Sequence, residues 1–235
     1  MTGTAFEEIP FIDVAPLYGE DSEAMLALAA SCRSILRDIG FAYIVNHAIP
    51  EALVERVRDE SKNFFALSPE DKNALAMNKW HRGYMTPNSS TIVTSTVAKN
   101  TKPNQSESFM VMHELAPDDP DRLAGRPLAG PNQWPAQQPT LRDTVREYVT
   151  AIEDLSRRLT QLIALCLDLP RDFFAPYFER PTTFLRLLHY PPTPAEDGLF
   201  GSAPHTDYGF ITLLAQDDLG GLEVRNKAGD WIAAP

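Results

Sequence analysis

His205 and Asp207 stand two residues apart in the run Phe200 to Gly221, FGSAPHTDYGFITLLAQDDLGG. On an extended backbone successive side chains alternate, so residues i and i+2 share a face. An imidazole and a carboxylate on one face are two of the three protein ligands of a two-histidine, one-carboxylate facial site. That site holds non-haem Fe(II) and leaves positions open for reactants. Alone, the pair is also compatible with a turn in which Asp207 hydrogen-bonds its own backbone. Its setting favours the ligand reading: an extended lead-in, the apolar run Phe210 to Ala215 read as a strand, and Asp217-Asp218-Leu219-Gly220-Gly221 as a turn. No histidine follows before Pro235, so nothing downstream in the sequence completes the set. Upstream stand His47, His81, His113 and His189, of which His189 alternates away from Tyr190 on its strand.

The elements that must position this pair are legible in the periodicity. Ile9 to Val14 reads as a short strand punctuated by Pro10 and Pro16. With Ser22 as N-cap, Met25, Leu28, Cys32, Ile35, Leu36 and Ile39 recur at spacings of three and four up to Gly40, a helix with one apolar face. Phe41 to Val45 reads as a buried strand. A second helix starts near Pro50, and Ser68-Pro69-Glu70 opens a shorter one. Pro117, Pro120, Pro127, Pro131, Pro135 and Pro139 break both helix and ladder, so that stretch is an irregular crossing. The strongest helix follows, with Leu141, Val145, Val149, Ile152, Leu155, Leu159, Leu162, Ile163 and Cys166 in one stripe and a charged opposite face. After Pro181 the texture turns to strands: Thr183 to Tyr190, Phe210 to Ala215, and Leu222 to Arg225. A hairpin loop, Asn226 to Gly229, then leads to Trp231-Ile232.

Composition bounds the function classes. The 235 residues carry 43% hydrophobic and 23% charged side chains, enough for a sizeable core. A formal charge of −11 argues against a nucleic-acid partner, since no basic stripe exists to displace counterions. Cys32 and Cys166, both in helical patterns, read as buried small hydrophobes without a disulfide framework, which points to a reducing, cytoplasmic setting. No signal peptide and no membrane-spanning run is visible.

With these residues in view, the chain resembles the isopenicillin-N-synthase-like family of Fe(II)/2-oxoglutarate dioxygenases. IPFIDVAPL, GFAYIVNHAIP, FFALSPEDK and RGY (82–84) are similar to its N-terminal region. LRLLHYPP (185–192) and HTDYGFITLLAQDDLGGLEV (205–224) are similar to its oxygenase core. The resemblance implies an α+β fold, with an N-terminal helical and mixed region packed on a double-stranded β-helix (jelly-roll) core that is incomplete in this chain. It implies residues 1–116 as the N-terminal region, 117–139 as the Pro-rich crossing, 140–180 as the long helix and its connection, and 181–235 as the first part of the core. His205 and Asp207 are then Fe(II) ligands, with the third ligand and the Arg-x-Ser grip on 2-oxoglutarate expected beyond Pro235. Tyr190 is the residue that hydrogen-bonds 2-oxoglutarate, or alternatively an aromatic closing the barrel mouth. Leu188 stands where relatives often carry asparagine. Arg82, Tyr84, Asn88 and Glu107 fall in the stretch that contributes to the substrate mouth, or else serve ordinary packing and surface roles.

The activity implied uses Fe(II), 2-oxoglutarate and O2: oxidative decarboxylation to succinate coupled to hydroxylation, desaturation or cyclisation of a small molecule by a monomeric enzyme. Two readings compete with it. One is an ethylene-forming or isopenicillin-N-synthase-type iron oxidase of the same family. The other is a catalytically inactive truncated fragment.

Overall fold

The computed structural model describes residues 6–93, 95, 97 and 99–234; the sequence readings of residues 1–5 and of Pro235 lie outside them. In chain order the elements are β1 (Phe11–Asp13), α1 (Ser22–Asp38), β2 (Tyr43–Val45), α2 (Glu51–Phe65), α3 (Pro69–Asn73), β3 (Gly83–Met85) and β4 (Glu107–Met112). They continue with α4 (Pro120–Leu123), α5 (Pro139–Cys166), β5 (Phe184–His189), β6 (Leu222–Arg225) and β7 (Trp231–Ala234). The class is mixed α+β, and the described residues form three small sheets rather than a complete jelly roll.

The chain divides into two units. The first comprises residues up to Ile49, Ala151–Glu179 and those from Ile211 onward. Its core joins Met25, Leu28, Ala29 and Cys32 of α1 to Leu155, Leu159, Leu162 and Cys166 of α5, with Val14 and Leu17 beside them. Both cysteines are buried and free as expected, and burial pushes the Cys32 thiol up to about 11. The α1 helix is capped by Asp21 rather than Ser22: the Asp21 carboxylate accepts from Glu23 N at 2.9 Å and Ala24 N at 3.1 Å. A carboxylate one residue outside the helix reaches two amides that have no helical partner, whereas Ser22 already lies within the first turn. Strands β1 and β2 pair in parallel, and β2 is half-buried rather than buried, with Phe41 just before it exposed.

The hairpin β6–β7 forms as read, with Val224 opposite Ile232. Asn226 Oδ1 closes its turn by accepting from Ala228 N and Asp230 N, each at 2.9 Å. The strand expected over Phe210 to Ala215 is not one. Ile211 and Leu213 pack on the first unit's core while Thr212 and Leu214 are exposed, so the alternation of a strand is there. The ladder is not: a strand exists by pairing, and none of the three sheets among the described residues includes this segment.

The second unit comprises Pro50–Thr150 and Arg180–Phe210, and it holds the antiparallel sheet β3-β4-β5. Its register sets two faces, with Glu107 opposite His189, Ser108 opposite Leu188, Phe109 opposite Leu187 and Met110 opposite Arg186. Phe109 meets Phe64 of α2 at 4.5 Å between ring centroids, so one face is apolar core. Ser68 caps α3 through Asp71 N at 3.1 Å. Gly83 opens β3 with φ +117°, and a Cβ there would stand 2.3 Å from Leu75 O. Only glycine permits that approach. The Pro-rich crossing is irregular as read, apart from the single turn of α4.

Candidate metal centre

The residues before His205 are fixed from the segment that precedes β4. Phe200 O and Gly201 O accept from Gln105 N at 3.0 Å and Ser106 N at 3.2 Å. Ala203 N donates to the buried Asn104 Oδ1 at 3.0 Å, and Pro204 O accepts from Asn100 Nδ2 at 3.0 Å and Ser95 Oγ at 2.7 Å. The backbone thus arrives at His205 already oriented.

His205 Nδ1 lies 2.8 Å from Ala203 O. A carbonyl only accepts, so this contact is made by an Nδ1–H, which leaves Nε2 as the atom a neutral imidazole offers to a metal. That Nε2 lies 3.2 Å from Asp207 Oδ1. Two donor atoms each about 2.1 Å from one metal, at right angles, stand about 3 Å apart. The pair therefore fits adjacent positions on a divalent metal. Among the described residues no third His, Cys, Asp or Glu joins it.

The other predicted residues separate. Tyr190 follows β5 with its ring over Gly201, where an added Cβ would stand 2.6 Å from Tyr190 Cδ1. Burial pushes its phenol up, with the nearby Arg186 charge pulling the other way. The hydroxyl is thus a donor at neutral pH.

Tyr84 and Glu107 come together, but in a cluster that sequence reasoning did not anticipate. Glu107 Oε2 takes Lys72 Nζ at 2.8 Å and the Tyr84 hydroxyl, and Oε1 faces His189 Nδ1 at 2.8 Å. Lys72, Tyr84 and Glu107 are all buried, and the His189 ring stacks on Phe65 at 5.4 Å. Burial alone would raise the Glu107 carboxyl; the bonds from Lys72, Tyr84 and His189 outweigh it and hold the group below the usual range. Burial and the bond to Glu107 push the Tyr84 phenol up. Its alternation with Leu187 puts His189 on the face of Phe109, at the half-open end of β5, and only the β4–β5 register brings it to Glu107.

Arg82 is wholly buried elsewhere in the unit. Its guanidinium donates to Trp80 O at 2.9 Å, His113 O at 3.2 Å and Asn132 Oδ1 at 3.1 Å, and burial lowers its pKa. A cavity of about 150 Å³ lies beside it, lined also by His113, Asp121, Arg126 and Arg180. Asn88 sits in an exposed turn at φ +61° and accepts from Gln105 Nε2 at 2.5 Å.

Residues 9–137 match the family described as non-haem dioxygenase in morphine synthesis N-terminal, and residues 181–235 match the 2OG-Fe(II) oxygenase superfamily. The chain is 36% identical over 232 residues to the 2-oxoglutarate-Fe(II) type oxidoreductase hxnY of Emericella nidulans, covering 95% of this chain and 65% of that protein. It is 33% identical over 249 residues to the homoarginine-6-hydroxylase 2-ODD-C23 of Glycine max, covering 99% and 73%. Among solved structures, a full-length Neurospora crassa protein in complex with alpha-KG superimposes with a TM-score of 0.81 at 28% identity, covering 96% and 69%. A putative 2OG-Fe(II) oxygenase family protein from Caulobacter crescentus superimposes with a TM-score of 0.79 at 28% identity, covering 98% and 72%. The chain thus spans about two thirds of the length of the relatives it matches.

Proposed function

We propose, from the premise that this chain belongs to the 2OG-Fe(II) oxygenase superfamily, that the protein carrying it couples 2-oxoglutarate decarboxylation to oxidation of a small organic molecule. The observation that carries this reading is the His205–Asp207 pair, with Nδ1 turned to the Ala203 carbonyl and Nε2 3.2 Å from Oδ1. When bound, Fe(II) and 2-oxoglutarate supply the oxidant: O2 is reduced, the 2-oxo acid leaves as succinate and CO2, and the second oxidising equivalent reaches the substrate. His205 and Asp207 hold the metal. The Ala203 carbonyl keeps the imidazole in its ligating tautomer. Tyr190, protonated at neutral pH, donates to a cosubstrate carboxylate from its seat on Gly201.

The four residues read as a substrate mouth take packing and surface roles in this proposal. Every oxygen of Glu107 is engaged within the protein, the Tyr84 hydroxyl is engaged with it, and Arg82 spends its donors on internal acceptors. A small organic substrate is supported by the relatives, among them the homoarginine-6-hydroxylase of Glycine max and the Neurospora crassa protein solved with alpha-KG and thymine. Its identity is open to screening.

The test is succinate release from 2-oxoglutarate, with Fe(II) and ascorbate, by the protein carrying this chain. His205→Ala and Asp207→Ala are expected to fall to background while the helices remain folded by circular dichroism. Near-wild-type turnover in either variant overturns the assignment.

A further inference from the structure

Tyr190 lies one residue beyond β5 and its ladder. The residues after it, Pro191 and Pro192, carry no N–H with which to tie the chain down. Its position is therefore set from two sides. One is His189, the last paired residue of β5; the other is Gly201, on which its ring rests.

Both sides refer back to the start of β4. Ser106 N donates to Gly201 O at 3.2 Å, and the next residue, Glu107, is the ladder partner of His189 and faces its Nδ1 at 2.8 Å. A carboxylate only accepts, so that contact is made by an Nδ1–H. The imidazole also stacks on Phe65, with 5.4 Å between centroids and 29° between planes. One buried ammonium holds both of these partners: Lys72 Nζ donates to Phe65 O at 3.0 Å and to Glu107 Oε2 at 2.8 Å. Yet the His189 side chain is 45% open to water. Burial gives no reason to fix it so closely, since solvent satisfies a half-exposed imidazole. What the contacts fix is the backbone at the residue before Tyr190, and functional side chains are held in place by the packing and hydrogen bonds of their supports.

We propose that His189 is a positioning residue for Tyr190, held between Glu107 and Phe65 so that the phenol reaches a cosubstrate carboxylate from its seat on Gly201. This rests on the oxygenase reading above, in which Tyr190 meets 2-oxoglutarate. His189 points to the opposite face of the strand from Tyr190, so its action passes through the backbone.

The experiment takes two readouts on the protein carrying this chain. The first is the KM for 2-oxoglutarate in succinate release. His189→Leu keeps an apolar contact with Phe65 and loses the bond to Glu107. It is expected to raise the KM about three- to tenfold, with kcat at saturating 2-oxoglutarate changed much less. His189→Asn, whose amide donates from near the place of Nδ1, should recover part of the loss and guards against a folding defect in the first variant. Adding His189→Leu to Tyr190→Phe should raise the KM little further. The second readout is the Gly201 amide resonance, which the Tyr190 ring displaces, followed by NMR with diamagnetic Zn(II) as the metal. His189→Leu should move it toward its position in Tyr190→Leu. A lower thermal midpoint with an unchanged KM, a full second loss in the double variant, or a Gly201 resonance that stays as in wild type each overturns the proposal and leaves His189 a packing residue. If Tyr190→Phe itself leaves the KM unchanged, the 2-oxoglutarate role of Tyr190 fails instead, and the Gly201 resonance alone decides whether His189 positions the ring.

Discussion

Lys72 Nζ lies 2.8 Å from Glu107 Oε2, with about a tenth or less of either side chain open to water. The two residues are 35 positions apart and tie α3 to β4. Two buried charges stabilise one another only while both are present, since removing one leaves the other desolvated and unpaired. Lys72→Met is therefore expected to destabilise the protein by about 3–5 kcal/mol. Lys72→Met combined with Glu107→Gln should lose clearly less than the sum of the single changes. Urea unfolding of the four proteins measures both; additive losses would show that the pair is not coupled.

The same cluster sets a pH dependence. The folded-state pKa of Glu107 is held below its unfolded value, so its contribution is fully present above the unfolded value, about 4.3. It is lost as pH falls through that value and on through the folded one. Stability at neutral pH should thus be flat with respect to this group and should decline on acidification below about pH 4.5. In Glu107→Gln the decline should be shallower, read as thermal midpoint against pH. An equally steep decline in the variant would assign the acid sensitivity to other carboxylates.

Local rules written in single residues were readable from the sequence; pairings across the chain were not. The α5 stripe, the Ser68 cap and the Asn226 turn each depend on neighbours a few positions away, and each forms. Phe210 to Ala215 has the residue types and the alternation of a strand, yet pairing is a property of two segments and cannot be read from one. At the site, His205 and Asp207 share local geometry and stand together as their spacing implies. Glu107 and His189 meet across 82 positions by the β4–β5 register, which no local pattern announces. That Arg186 Nε has no acceptor among the described residues is equally invisible until the atoms around it have been placed.

Asn104 is expected to act on the metal without touching it. Its side-chain oxygen holds Ala203 N at 3.0 Å, and Ala203 O in turn holds His205 Nδ1 at 2.8 Å. Asn104→Ala frees that backbone and should weaken Mn(II) binding by about tenfold, the lower end of what outer partners of metal ligands contribute. Asn104→Asp keeps the accepting oxygen and should restore most of the affinity. Titration of Mn(II) followed by electron paramagnetic resonance gives the dissociation constants. Equal affinity in wild type and Asn104→Ala would show that His205 is oriented without this chain of contacts.

Gly201 offers a way to move Tyr190 without altering its chemistry. A Cβ on residue 201 would stand 2.6 Å from Tyr190 Cδ1 and 3.1 Å from Cε1, closer than packed carbon atoms tolerate. The backbone there is tethered, since Gly201 O accepts from Ser106 N at 3.2 Å, whereas the Tyr190 ring is half-exposed and can swing. In Gly201→Ala the ring gives way and the hydroxyl leaves its position. The KM for 2-oxoglutarate should then rise about tenfold or more, comparable to Tyr190→Phe, with kcat at saturating 2-oxoglutarate changed much less. Adding Gly201→Ala to Tyr190→Phe should raise the KM little further, because the hydroxyl it displaces is already gone. A loss in Gly201→Ala confined to kcat, or a full second loss in the double variant, would return Tyr190 to a packing role.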